Sequence, residues 1–122
     1  TDYPYDTLNE SVTSVIHYIK QNGPFQGVLG FSQGAIVGVA TLLNILPQLP
    51  LPDCVKFGIL VGCPPINDPT LKSALHNLKQ QQREQISTLH VSGMNDTLIT
   101  SAMSEVVFNY FDPSRAEFHQ HK

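Results

Sequence analysis

Asn22-Gly23-Pro24-Phe25-Gln26-Gly27-Val28-Leu29-Gly30-Phe31-Ser32-Gln33-Gly34-Ala35 is the stretch whose reading decides the fold. Glycines bound a short apolar run ending at Phe31, the signature of a buried strand. Asn22-Gly23-Pro24 ahead of it stops a helix. From Gln33 to Leu46 the residues are small or aliphatic almost all round, which predicts a helix packed on several sides. Ser32 therefore stands at a strand-to-helix turn.

The same alternation runs outward from this centre. Before it, Leu8, Val12, Val15, Ile16 and Ile19 recur at helical spacing and predict a helix over Thr7 to Gln21, with Thr7 or Asn9 as cap. After it, Pro47, Pro50 and Pro52 enforce a loop, read as a helix stop and linker rather than a polyproline ligand. Val55 to Cys63 predicts a second buried strand. Thr70 to about Gln82 predicts a surface helix through Leu71, Leu75 and Leu78, with Gln80 to Gln85 as a solvated face or loop. Ile86 to Ser92 is a third strand, Thr100 to Phe111 a helix, and Arg115 to His121 a last strand. Strands alternating with helices need right-handed crossovers, so the expected fold is α/β, a mostly parallel sheet with helices on both faces.

Composition sets the outer bounds. The 122 residues suit one domain or part of one. Hydrophobic residues make up 41% and charged residues only 14%, so the chain has the means to bury a core and is not of disordered type. A net charge of −3 argues against a protein devoted to nucleic acid. No apolar run approaches the roughly 20 residues of a membrane span. Cys54 and Cys63 match no metal-ligand or CxxC spacing and read as reduced thiols of an intracellular, cytoplasmic protein. Thr1-Asp2-Tyr3-Pro4-Tyr5 is neither a signal peptide nor a starting methionine, so residue 1 is read as not being the natural start.

Gly30-Phe31-Ser32-Gln33-Gly34 is a G-x-S-x-G pattern. Five-residue matches arise often by chance, and the context carries the weight here. The pattern follows a strand and opens a small-residue helix, the setting of a nucleophile elbow. In that turn Ser32 is exposed above the sheet, at the positive end of the following helix. The backbone N–H of Gln33 points where an oxyanion forms. A serine hydroxyl needs a base, normally a histidine oriented by a carboxylate. With such an elbow the chain order is Ser, then acid, then His, and the acid follows a later strand. Asp96, in Gly93-Met94-Asn95-Asp96, does so directly and is preferred. Asp68 in Asn67-Asp68-Pro69 reads as a turn or helix cap and Asp112 as a helix stop. His17 precedes the serine, and His76 and His90 read as structural. His119 and His121 come after the acid; a metal pair of these two lacks a third ligand, and no cofactor or metal is implied.

These segments resemble a known family. The elbow region Asn22 to Ala35, the acid loop Leu89 to Asp96 and the segment Phe111-Asp112-Pro113-Ser114-Arg115-Ala116-Glu117 are similar to the FSH (family of serine hydrolases) α/β-hydrolases, which are esterase-like enzymes. Acyl-protein thioesterases share Gly-Phe-Ser-Gln-Gly, but Gly23-Pro24-Phe25 and Phe-Asp-Pro favour the FSH group. The resemblance implies Ser32 as nucleophile, Asp96 as acid and Gln33 N–H as half of the oxyanion hole. The implied substrate is a small carboxylic ester or thioester. The family's histidine sits in a Gly-Gly-His loop just after the segment ending at His121-Lys122, and its first strands precede the equivalent of Thr1. The expectation is therefore a partial α/β-hydrolase domain over residues 1–122, truncated at both ends, with His121 as the alternative base. As it stands, such a piece is expected to be nearly inactive. The contrasting reading is a non-catalytic binding or interaction module that keeps the fold.

Overall fold

The computed structural model describes residues 5–78 and 85–122. Its elements run in the expected alternation: α1 (Tyr5–Asn22), β1 (Gly27–Phe31), α2 (Gln33–Leu42), β2 (Phe57–Val61), α3 (Pro69–His76), β3 (Ser87–Gly93), α4 (Ser101–Phe108) and β4 (Ala116–His121). The four strands form one sheet in the order β1-β2-β3-β4, and every pairing is parallel. Because all pairings are parallel, all four carboxyl ends lie along one rim. A row of register partners, Gly30, Leu60, His90 and Phe118, crosses the sheet from edge to edge.

That row marks the covered face. Leu8, Val12 and Ile16 of α1 join Ala35, Ile36 and Val39 of α2, Leu60 of β2, Leu71 and Leu75 of α3 and Val107 of α4 in one core. Each Leu, Ile or Val among them contributes about 1.5–3 kcal/mol by leaving water. Strand residues alternate between faces, and those of the opposite face enter no core cluster. There Leu29 and Phe31 are 68% and 69% exposed. Among the described residues, then, the helices of this core lie on one face of the sheet rather than on both, because right-handed crossovers that all step the same way along the sheet fall on one side.

Element ends differ from expectation for local reasons. α2 stops at Leu42 instead of Leu46 because Asn44 turns left-handed (φ 54°). Asn44 N–H donates to Thr41 O and Ile45 N–H to Ala40 O, the two bonds of a Schellman ending. Asn44 Oδ1 then accepts from Leu51 N–H at 2.7 Å, which closes the proline-containing loop on itself. Leu46 and Leu49 of that loop pack against the core, as a linker would. α1 starts at Tyr5, so Thr7 and Asn9 lie inside it and do not cap it. α3 ends at His76. The expected continuation to Gln82, and most of the Gln80–Gln85 tract, lie outside the described residues.

Candidate active site

Ser32 follows the last residue of β1 and precedes the first of α2, with φ 56° and ψ −121°. A non-glycine residue in this region carries strain of about 1–3 kcal/mol, sustained only where its surroundings over-determine it. They do so here. Ser32 N–H donates to Val61 O at 2.8 Å, tying the turn to the end of β2, and Ser32 O accepts from Ala35 N–H at 2.9 Å. A Cβ on Gly30 would collide with Gly34 O and stand 2.8 Å from Ala35 Cα, so only glycine lets the strand pass under the helix start. A Cβ on Gly34 meets nothing within 4 Å. The two glycines of the pattern thus have different roles, and the close approach belongs to Gly30 alone.

The Ser32 side chain makes no capping bond to α2, and its half-buried hydroxyl is left for other chemistry. Gln33 N–H is the first of the helix and has no intrahelical acceptor. The first turn of α2 carries no acidic residue, so its positive end is uncompensated.

Asp96 lies beyond β3 on the same rim. Its Oδ1 accepts from Leu98 N–H and Ile99 N–H, both at 3.0 Å, and its own N–H donates to Gly93 O at 3.3 Å. Oδ2 has no partner among the described residues. The carboxylate is exposed and oriented, with one oxygen held and one available. Asp68 is of another kind. It is 4% exposed, and its Oδ1 caps α3 through Leu71 N–H at 3.0 Å. Asp112 Oδ1 accepts from Ser114 N–H and Ser114 Oγ, each at 2.9 Å, as a turn residue does.

The histidines sort by burial. His17 is exposed on α1, and His76 Nε2 lies 3.2 Å from Tyr110 Oη. His90 is 1% exposed, with Nε2 2.9 Å from Thr88 Oγ1, and burial pushes its pKa down from 6.5 to about 4. His119 and His121 project from the uncovered face of β4 and are exposed. A Cβ on Gly93 would lie 3.5 Å from His121 Nε2 and 3.7 Å from Asp96 Cβ. The bare backbone of Gly93 thus leaves room beside it for the His121 ring and for the start of the Asp96 side chain. Spacing alone marks Gly93 only as a turn residue, and this role emerges from the register Gly93↔His121. No hydrogen bond joins His121 to Asp96 or to Ser32 among the described residues; His121 Nδ1 lies 3.2 Å from Lys122 O.

A cavity of about 390 Å³ opens along this rim, lined by Phe31, Val61, Gly93, Asn95, Asp96 and His121 among others. It draws on the ends of all four strands, where open parallel sheets hold ligands. Ser32 directly follows the lining residue Phe31 and does not itself line the cavity. A hollow of about 490 Å³ near Ser87 and Arg115 lies at the opposite ends of the strands, away from Ser32 and Asp96. Among the described residues no group of three or more His, Cys, Asp or Glu is placed to hold a metal. Cys54 and Cys63 are unpaired, and burial raises the Cys63 thiol to about 12, which leaves it inert as a nucleophile. No described helix is long and apolar enough to cross a membrane.

Known proteins resemble the chain in fold and in sequence. The chain superposes on the maize acyl-protein thioesterase 2 with a TM-score of 0.76 and 16% identity, covering 100% of this chain and 61% of that one. The esterase domain of a Rhodothermus marinus protein gives 0.60 and 13%, over 91% and 55%. At these identities the likeness is one of fold, that of the α/β-hydrolases. In sequence, the chain is 36% identical over 118 residues to zebrafish esterase OVCA2, covering 92% of this chain and 48% of that protein. It is 33% identical over 106 residues to Caenorhabditis elegans esterase C25G4.2, covering 86% and 46%. The chain spans about half the length of these curated relatives. The family model described as serine hydrolase (FSH1) matches residues 1–122, and the chain belongs to that family.

Proposed function

We propose that this chain carries the elbow and acid loop of a serine hydrolase that cleaves carboxylic esters or thioesters by acyl transfer. Ser32 is the nucleophile, Asp96 the acid and Gln33 N–H one donor of the oxyanion hole. The observation that carries the reading is the strained backbone of Ser32 between a parallel strand and a helix, with φ 56°. Such strain is tolerated where it presents a reactive group.

In this mechanism Ser32 Oγ attacks the carbonyl carbon while a histidine takes its proton. The carbonyl oxygen becomes an oxyanion beside Gln33 N–H. The histidine returns the proton to the leaving alcohol or thiol, and the acyl group stays on Ser32. Water, deprotonated by the same histidine, then releases the acid and regenerates the serine. Asp96 Oδ2 orients the imidazole and stabilises its cationic form, while Oδ1 stays on its two amides. The base is a histidine that reaches Asp96 Oδ2. The family resemblance supports one following Lys122, and His121, whose ring and Asp96 Cβ both lie near Gly93, is the alternative within the chain. A non-catalytic module of the same fold is favoured only by the absence of a bond between His121 and either partner.

Hydrolysis of para-nitrophenyl and thioester substrates by the full-length protein tests this. Asp96→Asn is expected to lower kcat by about 10³–10⁴-fold, by analogy with other triads. Unchanged turnover in Asp96→Asn would reject Asp96 as the acid, and no turnover by the wild type would favour the binding module.

A further inference from the structure

The geometry points to Ser92 and Ser101 as a positioning pair for Asp96, and this rests on the reading of Asp96 as the acid. Asp96 stands in the loop between the end of β3 and the start of α4. Ser92 is the penultimate residue of β3 and Ser101 the first of α4, so the two bracket the base of that loop. Their hydroxyls lie 2.8 Å apart. Ser92 is 1% exposed and faces the covered side of the sheet, beneath α4.

A serine here is not explained by packing. Burying a hydroxyl costs free energy unless it is bonded. The bond to Ser101 offsets that cost and adds little net stability beyond it. Alanine at both positions would bury the same backbone without either liability. What the pair supplies is a fixed register between the strand and the helix. The remaining ties are local to the loop and its ends, and none of them joins β3 to α4. Met94 N–H donates to His121 O at 2.8 Å, Asp96 N–H to Gly93 O at 3.3 Å, and Thr100 Oγ1 accepts from Met103 N–H at 3.3 Å. Leu98 and Ile99, whose amides hold Asp96 Oδ1, lie two to three residues from Ser101 on this same segment. Sliding α4 against β3 would move those amides and swing Oδ2 away from the histidine. Misplacement of a catalytic group by about 1 Å costs on the order of 100-fold in rate.

The test uses the full-length protein with a para-nitrophenyl ester. Ser101→Ala is expected to lower kcat by about 10–100-fold at unchanged KM. It should also shift the acidic limb of the kcat/KM profile to lower pH, because a displaced carboxylate stabilises the imidazolium less. Ser101→Thr, which keeps the hydroxyl, should restore both. In an Asp96→Asn background, Ser101→Ala should cost nothing further, since the pair acts through that carboxylate. Equal losses in both backgrounds, or a wild-type kcat and pH limb in Ser101→Ala, would overturn the positioning role. If Asp96→Asn itself keeps full activity, the assignment of the acid fails and the pair's role with it. If Asp96→Asn is crippled while Ser101→Ala is not, the pair alone is refuted.

Discussion

Acidification to about pH 4.5 is expected to cost the fold about 2–3 kcal/mol through His90 alone. The ring is 1% exposed, packed 5.3 Å from Phe108 and 5.2 Å from Phe111, with Nε2 on Thr88 Oγ1 and Nδ1 buried without a partner. A protonated imidazole donates from both nitrogens, and Nδ1–H would find no acceptor there. Burial accordingly lowers the folded-state pKa from 6.5 to about 4. Above pH 6.5 the ring is neutral in folded and unfolded chains, so its contribution does not change. As the pH falls below 6.5 the unfolded chain takes up a proton that the fold refuses, and stability is lost until about pH 4, where the folded ring binds it too. At about 1.4 kcal/mol per pH unit the full span amounts to about 3 kcal/mol. Urea unfolding at neutral pH and at about pH 4.5 reads this directly, with His90→Phe as the control. That variant keeps the aromatic cluster and removes the titration, so its stability should fall less between the two pH values. The exposed histidines remain in both proteins and cancel. Equal pH dependence in the two, or a His90 ring titrating near 6.5 by NMR, would refute the reasoning.

Gly30→Ala is expected to unfold the elbow or displace it, because the new Cβ meets backbone atoms of Gly34 and Ala35 that cannot rotate away. Thermal unfolding should show a loss of about 1–3 kcal/mol, whereas Gly34→Ala, with open space around it, should be far milder. Asp68→Ala removes the cap on Leu71 N–H and should cost about 1 kcal/mol in denaturant. It should leave ester hydrolysis per folded molecule intact, which separates Asp68 from Asp96; an Asp68→Ala enzyme as dead as Asp96→Asn would reverse their roles.

Much of this architecture is legible in the chain because periodicity and punctuation agree. The glycine-bounded apolar run became β1, the apolar run within Val55 to Cys63 became β2, and helical spacing became α1 and α4. The end of α2 is less legible, since Leu43, Ile45 and Leu46 continue the apolar pattern past the real stop at Leu42. The stop depends on Asn44 accepting a left-handed backbone and on its side chain reaching Leu51 N–H, a contact seven residues away. The G-x-S-x-G pattern gives both glycines equal weight, whereas only the three-dimensional crossing of β1 under α2 crowds Gly30. Asp96 and Asp68 each follow a strand, and the Gly-x-x-Asp spacing already ranked them. Burial and hydrogen bonding then set them apart: one carboxylate is exposed on the rim with a free oxygen, the other is sunk into a helix cap. Alternation along β4 puts His119 and His121 on one face, but the position of the His121 ring over Gly93 depends on strand register, which no local pattern encodes.

The central claim is that Ser32 is an activated nucleophile, and covalent labelling tests it most directly. The full-length protein is treated with a fluorophosphonate and digested, and the modified residue is located by mass spectrometry. The account predicts a single phosphonylated site at Ser32 and no labelling in Ser32→Ala. An adduct on another residue, or labelling that survives Ser32→Ala, would contradict it.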